Sequence, residues 1–386
     1  MAPETPLSIL TQAEQELLSP DLTNPIEYRK SGLSLNHIIG CPLDCSYCVR
    51  HIFNNYEMKA PRALLTDEEA VERLVNHQYF QNSITPIQIF NRATDPFLPS
   101  VKPHTLRVLE LLNKRGLTNH VLVITRWKVE PDDCVILNSF ENIRVTVLVT
   151  YSGIDNDKIE PVDSSIAVSS LRTLFEHSRR YRCILYWRPI VPGLNDTPEH
   201  IERAKQVANF AHATVFTGLF YRDEIADYYR TNGLPEPYDT VARRKILPEE
   251  LENKILAHFD DLPDSNTPLF RKTSCAVSYA HELPDYNGHY GIRELCDICP
   301  TSQLKRCAAD WKVPDAKVIA ELTNKLGATS EAKITDRAVV VSGLDESRRY
   351  YMQHSLGYQI HDAAKPHRFR QHGRAAIGWD EEGEEK

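Results

Sequence analysis

Between residues 33 and 222 the chain alternates short runs of β-branched and apolar residues with longer stretches whose apolar positions recur at helical spacing. The short runs, at 33–39, 87–90, 120–124, 143–149, 182–188 and 214–220, predict strands. The stretches between them, such as 67–78, 104–114, 165–177 and 198–210, predict helices. Such alternation calls for a parallel sheet with helical crossovers, at least six βα units in all. Beyond residue 222 the pattern changes. Residues 223–274 are rich in Pro, Asp, Glu and Tyr, hold one helical stretch near 248–259, and read as a segment that links and covers the core. Residues 275–312 carry four cysteines. Residues 313–363 predict a helix, a strand at 338–341 and a second helix at 345–355, a small C-terminal α/β element. The remainder is an N-terminal extension, 1–32, and a flexible tail, 364–386, that passes from a His/Arg cluster to an acidic end. No internal repeat is evident.

A chain of 386 residues exceeds the usual size of a single core, so one large domain with a smaller appended part is expected. The net charge of −8 and the pI near 6.0 argue against reliance on non-specific attraction to phosphate backbones, although a local basic groove leaves nucleic acid possible. No run approaches the roughly 20 apolar residues that span a bilayer, and the start lacks a basic region followed by an apolar stretch. The expectation is a soluble, cytoplasmic protein without membrane contact. Nine cysteines in that setting point to thiolates kept reduced for metal.

Cys41, Cys45 and Cys48 form a Cys-x3-Cys-x2-Cys loop in the segment 40–50. Three thiolates so spaced can cap three irons of a 4Fe-4S cube and leave the fourth iron without a protein ligand. Structural clusters and structural zinc sites usually take four protein ligands, whereas an open position is where substrate or cofactor chemistry happens. On the residues alone a zinc site or a chance cysteine trio is the alternative. The loop resembles that of the radical S-adenosylmethionine (SAM) superfamily, with Tyr47 at the aromatic position before the last cysteine. The resemblance implies a partial (β/α)6 TIM-type barrel with a C-terminal Cys-rich metal-binding extension, with the chemistry at the carboxyl ends of the strands. It also implies SAM chelated to the open iron, a one-electron reductant of flavodoxin or ferredoxin type, and a 5'-deoxyadenosyl radical that abstracts hydrogen from substrate.

Further segments sharpen the resemblance. Thr94-Asp95-Pro96, followed by Phe97 and Pro99, resembles the branch that includes spore photoproduct lyase and DNA repair photolyase-like proteins. Most of the superfamily carries Gly-Gly-Glu there, so Thr94 and Asp95 would have to hold the SAM ammonium; a Pro-bounded turn with Asp95 as a helix cap is the other reading. Thr125, Thr150 and Ser152 fall at the predicted tips of the third and fourth strands, where their hydroxyls could bond SAM, as could those of ordinary turn residues. Glu160-Pro161 resembles a Glu-Pro element of the same branch, with an exposed loop acid as the other reading. Arg188 opens an Arg-Pro-x-x-Pro-Gly-x-Asn-Asp signature ending at Asp196. Its guanidinium suits a carboxylate, either that of SAM or that of a structural partner.

Cys134 and Cys183 lie in apolar stretches and read as core thiols. Cys275, Cys296, Cys299 and Cys307 read as ligands of a second 4Fe-4S cluster, with tetrahedral zinc as the alternative. In the intervening segment Tyr286, His289 and Tyr290 are candidate proton or radical relays, with Tyr286 and His289 the catalytic candidates; residues of a surface loop are the other reading. The expected substrate is a peptide or small metabolite. A nucleic-acid lesion repaired by a lyase is the competing substrate, favoured by the branch and by the basic patch at 367–374. A non-catalytic iron–sulfur scaffold is the third reading.

Overall fold

The computed structural model describes residues 7–242, 244–260 and 268–364. Ten strands precede the C-terminal element among them: β1 (Ile26–Arg29), β2 (Gly32–Leu35), β3 (Ile38–Ile39), β4 (Arg62–Ala63), β5 (Ile87–Ile89), β6 (His120–Thr125), β7 (Arg144–Tyr151), β8 (Arg182–Ile190), β9 (Ala213–Gly218) and β10 (Leu269–Phe270). Eight form one sheet in the order β1-β2-β5-β6-β7-β8-β9-β10. Every neighbouring pair is parallel except β1 with β2. Helices Asp67–Val75, Lys102–Lys114, Pro131–Asn138, Ser164–His177 and Pro198–Ala208 provide the successive crossovers from β2 to β9.

The core strands are buried on both faces, which explains why they read as continuous apolar runs. Val121, Val123, Val145, Val147 and Leu185 join the crossover-helix residues Leu109, Leu112, Leu171 and Leu174 in the main core. The alternate positions Leu122, Leu148, Ile184 and Val215 pack instead on Phe270, Ala276, Val277 and Ala280. The second face is therefore filled by the chain's own helix Thr273–Ala280.

The predicted linker holds a second helix, Asp223–Thr231, besides Glu249–Asp260, and three further departures from the sequence reading concern the strands of the main region. The run 33–39 is two strands: β2 stays in the sheet, while β3 pairs antiparallel with β4. The break falls at Asn36 and His37, whose buried side chains bond Ser34 Oγ (3.0 Å) and Asp67 Oδ1 (2.8 Å). β1 lies within the predicted N-terminal extension and extends the sheet. The predicted linker also contributes β10, so its end belongs to the core.

In the C-terminal element β11 (Lys333–Ile334), β12 (Ala338–Val341) and β13 (Gln359–Asp362) form a small sheet, with the helix Glu346–Leu356 crossing from β12 to β13. That helix covers β1 at the edge of the main sheet: the Tyr28 hydroxyl meets His354 Nδ1 at 2.8 Å. The basic patch expected at 367–374 lies outside the described residues, as does all of the tail but residue 364. Among the described residues no helix is long and apolar enough to cross a membrane.

A candidate metal and cofactor site at the strand ends

The segment from Gly40 to Met58 is shaped by one buried cation. Arg50 donates to the carbonyls of Leu43 (2.8 Å), Tyr56 (3.1 Å), Asn55 (3.3 Å) and Met58 (3.3 Å), which wraps the cysteine loop around its guanidinium. Gly40 permits the entry turn. Its φ is +92°, and a Cβ there would stand 2.4 Å from the Ala60 carbonyl oxygen. Cys41 and Cys45 are buried and Cys48 is half-buried.

A second buried cation ties this loop to the carboxyl ends of the sheet. Arg126, directly after β6, donates to both Glu160 oxygens at 2.7 Å and to the Tyr47 hydroxyl at 2.7 Å. Glu160 also accepts from the Tyr47 hydroxyl and from Ser152 Oγ (3.0 Å), and Cys45 Sγ lies 3.9 Å from it. Burial pushes the thiols of Cys41 and Cys45 up. Arg50 pulls Cys41 down, and Arg126 pulls Cys45 down. Burial likewise raises the Tyr47 phenol well above its usual value. Each buried thiol thus has one guanidinium that favours its deprotonated, metal-binding form.

The other predicted cofactor residues gather at the same strand ends. Asp95 accepts from Thr125 Oγ1 (2.6 Å), Arg126 N–H (2.8 Å) and Phe97 N–H (2.9 Å), so it clamps the end of β5 to that of β6. Burial raises its carboxyl, against the pull of those donors. Thr150, Ser152, Arg126 and Glu160 line a crevice of about 10 Å³, room for one water. Asn195 fastens β7 to β8 by donating to the carbonyls of Ser152 (2.6 Å) and Pro189 (2.8 Å). Thr94 Oγ1 is buried without a hydrogen-bond partner among the described residues. An orphaned hydroxyl beside a buried carboxylate and a row of thiols is a donor set that fits a cluster and an ammonium-bearing ligand.

Tyr286 and His289 belong elsewhere. Tyr286 lies against His120, the first residue of β6, with ring centres 5.2 Å apart. Asp95 and Thr125 mark the other end of that strand, roughly 16 Å away at the usual rise per residue. His289 packs with the C-terminal cysteines: its Nδ1 is 3.0 Å from Asp285 and 4.0 Å from Cys275 Sγ. Cys275, Asp285 and His289 bring one ligand atom each within 4.8 Å of one another. Burial, Asp285 and the thiols of Cys299, Cys296 and Cys307 all push Cys275 up, so the four cysteines share one neighbourhood. Burial raises Cys299 to about 12 and Cys307 to about 11. Cys307 Sγ accepts from Asp285 N–H and Gln303 Nε2, both at 3.4 Å.

Sequence reasoning did not name Arg126, Glu160, Arg50 or Asp285 among the site residues. The first two were visible as neighbours of Thr125 and as the Glu-Pro pair. Asp285 stands four residues before His289, a spacing that alone says little.

No protein-family model matches the chain, and no curated protein matches it. Solved structures that resemble it include spore photoproduct lyase complexed with dinucleoside spore photoproduct, at 11% identity and a TM-score of 0.48, covering 65% of this chain and 80% of that one. Another is Streptococcus suis SuiB bound to S-adenosylmethionine, at 10% identity and a TM-score of 0.37, covering 66% of this chain and 53% of that one.

Proposed function

We propose that this protein is a radical SAM enzyme. Cys41, Cys45 and Cys48 would hold a 4Fe-4S cluster with an open iron, and SAM would bind there. The observation that carries the reading is the three-cysteine loop, with a guanidinium beside each of its two buried thiols, joined by the Arg126–Glu160–Tyr47 network to the carboxyl ends of a parallel sheet. When bound, the cluster and SAM supply one-electron cleavage of the sulfonium to a 5'-deoxyadenosyl radical. The chain's own part is to hold and orient. Arg50 fixes the loop backbone, and Arg126 offsets the charge of Cys45. Thr94 and Asp95 would receive the SAM ammonium. Tyr47, Thr125, Thr150 and Ser152 border the same strand ends, and burial there keeps water from the reacting carbon.

The substrate in this reading is a peptide or small metabolite, and the reductant a flavodoxin- or ferredoxin-like protein; lesion repair on nucleic acid is the competing substrate class. The second centre, on Cys275, Cys296, Cys299 and Cys307, would be another 4Fe-4S cluster. Zinc is favoured instead by one observation, the convergence of sulfur, nitrogen and oxygen donors at Cys275, His289 and Asp285. Tyr286 and His289 then act at that centre. Iron, sulfide and zinc content after anaerobic reconstitution tests the assignment. Two clusters give about eight irons, falling to about four in Cys41→Ala/Cys45→Ala/Cys48→Ala. Unchanged iron in that variant would remove the first site.

A further inference from the structure

Residues 281–292 carry two of the donors at the second centre and belong to no helix or strand. Asp285 organises them. Its Oδ2 accepts from the N–H groups of Asn287 (3.2 Å) and His289 (2.9 Å) and lies 3.0 Å from His289 Nδ1. Its own N–H donates to Cys307 Sγ at 3.4 Å, which ties the turn to a second thiol. The Asp285 side chain is 4% exposed, and its Oδ1 has no hydrogen-bond partner among the described residues. A carboxylate kept from water with one oxygen bare, grouped with the Cys275 thiol and a His289 nitrogen within 4.8 Å, suits a cation.

The middle of the same turn touches the C-terminal element. Asn287 Oδ1 accepts from His354 Nε2 (2.7 Å) and Gln353 Nε2 (3.2 Å), both on the helix Glu346–Leu356, and the Asn287 carbonyl accepts from Gln359 Nε2 on β13. Burial keeps the His354 ring neutral, and an amide oxygen only accepts, so Nε2 carries the proton and Nδ1 receives the Tyr28 hydroxyl of β1. Gly288 lets the turn sit against the end of that helix: at a φ of +66° a Cβ would stand 2.6 Å from the Gly357 carbonyl oxygen. Asn287, Gln353, His354 and Gln359 are all buried, so these bonds are costly to lose.

We propose that residues 285–289 are a metal-dependent latch: Asp285 and His289 join Cys275 in holding the metal of the second centre, and that metal holds the C-terminal α/β element on β1. The inference rests on the second centre of the proposed function and is independent of Cys41, Cys45 and Cys48. A short turn pinned at both ends keeps its middle residues in place. Metal binding at its ends therefore becomes folding free energy of the element that its middle contacts. A 4Fe-4S cluster and zinc share this consequence, because it follows from where the donors sit on the turn.

The test is hydrogen–deuterium exchange of the full chain after chelator treatment and after reloading with iron and sulfide or with zinc alone. It compares wild type, Cys275→Ser, Asp285→Asn, Asn287→Ala and Cys41→Ala/Cys45→Ala/Cys48→Ala, with the helix Ser164–His177 as internal reference. Metal loading should slow exchange in 346–362 at least about tenfold and leave the reference unchanged. The triple variant should keep this response and Cys275→Ser should lose it. Asp285→Asn should retain less metal than wild type after dialysis against a chelator. Asn287→Ala should bind metal as wild type does, yet exchange in 346–362 as fast as the metal-free protein, which separates coupling from binding. The metal that gives protection names the occupant. The latch is overturned if metal-loaded and metal-free wild type exchange alike in 346–362, if Asn287→Ala responds fully, or if Asp285→Asn holds metal as tightly as wild type. The wild-type comparison decides by itself where a variant does not fold. A triple variant that takes up neither metal would strike the second centre and the latch with it, and is read from metal content alone.

Discussion

Replacing Glu160 by Gln isolates the charge of the buried pair that joins the cysteine loop to the sheet. The Glu160 side chain is 5% exposed and that of Arg126 15%, and the crevice beside them has room for a single water, so solvent replaces little of the carboxylate when it is removed. Removing one member of a buried pair typically costs 3–5 kcal/mol, because the other charge stays behind. Glutamine preserves the shape and still accepts from Ser152 and Tyr47, which places Glu160→Gln near the lower end, about 3 kcal/mol. With a urea slope of about 3 kcal/mol per molar, the unfolding midpoint should fall by about 1 M. The double variant Arg126→Met/Glu160→Leu removes both charges and should recover much of the loss shown by the single variants Arg126→Met and Glu160→Leu, so this double-mutant cycle should show strong coupling. Urea unfolding followed by circular dichroism reads all three. A loss below about 1 kcal/mol in Glu160→Gln, the range of solvent-exposed pairs, would refute the picture of a desolvated network.

Other consequences are equally direct. Arg50→Ala strands four loop carbonyls and should cost roughly 3 kcal/mol and lower iron uptake on reconstitution, with Arg50→Lys restoring part of it; uptake equal to wild type would contradict the role of Arg50. Gly40→Ala forces a Cβ onto the Ala60 carbonyl at positive φ, so a loss of at least about 1 kcal/mol in urea unfolding is expected. Burial lowers His120, His354 and His361 to about 3. The unfolded chain therefore takes protons first as pH falls below about 6.5; stability is complete above that value and declines toward pH 3, by up to about 1.4 kcal/mol per pH unit for each histidine. Urea midpoints at pH 7 and pH 5 check the slope, and His354→Gln should flatten it.

Periodicity revealed four of the five crossover helices, all but Pro131–Asn138, and six of the core strands because those elements follow the local rule of apolar spacing. It did not reveal that 33–39 divides, since Ile38 and Ile39 are as apolar as Leu33 and Leu35; the division is set by the distant partner Asp67 of His37. β10 has only two residues, and its place beside β9 depends on the helix Thr273–Ala280 filling a face no sequence pattern marks. The cysteine loop was legible because ligand spacing within 41–48 is local. The network that supports it joins residues 47, 126, 152 and 160, and such contacts are set by the fold rather than by spacing. Tyr286 and His289 lie in a suggestive polar segment, yet the topology carries Tyr286 to the amino end of β6, away from the loop.

The central claim is tested most directly by incubating the anaerobically reconstituted full chain with SAM and dithionite and measuring 5'-deoxyadenosine. The account predicts its formation by wild type and its absence in Cys41→Ala/Cys45→Ala/Cys48→Ala. Wild type that carries iron on these cysteines and yields no 5'-deoxyadenosine under any reducing condition would contradict it and leave the loop as a structural iron–sulfur scaffold.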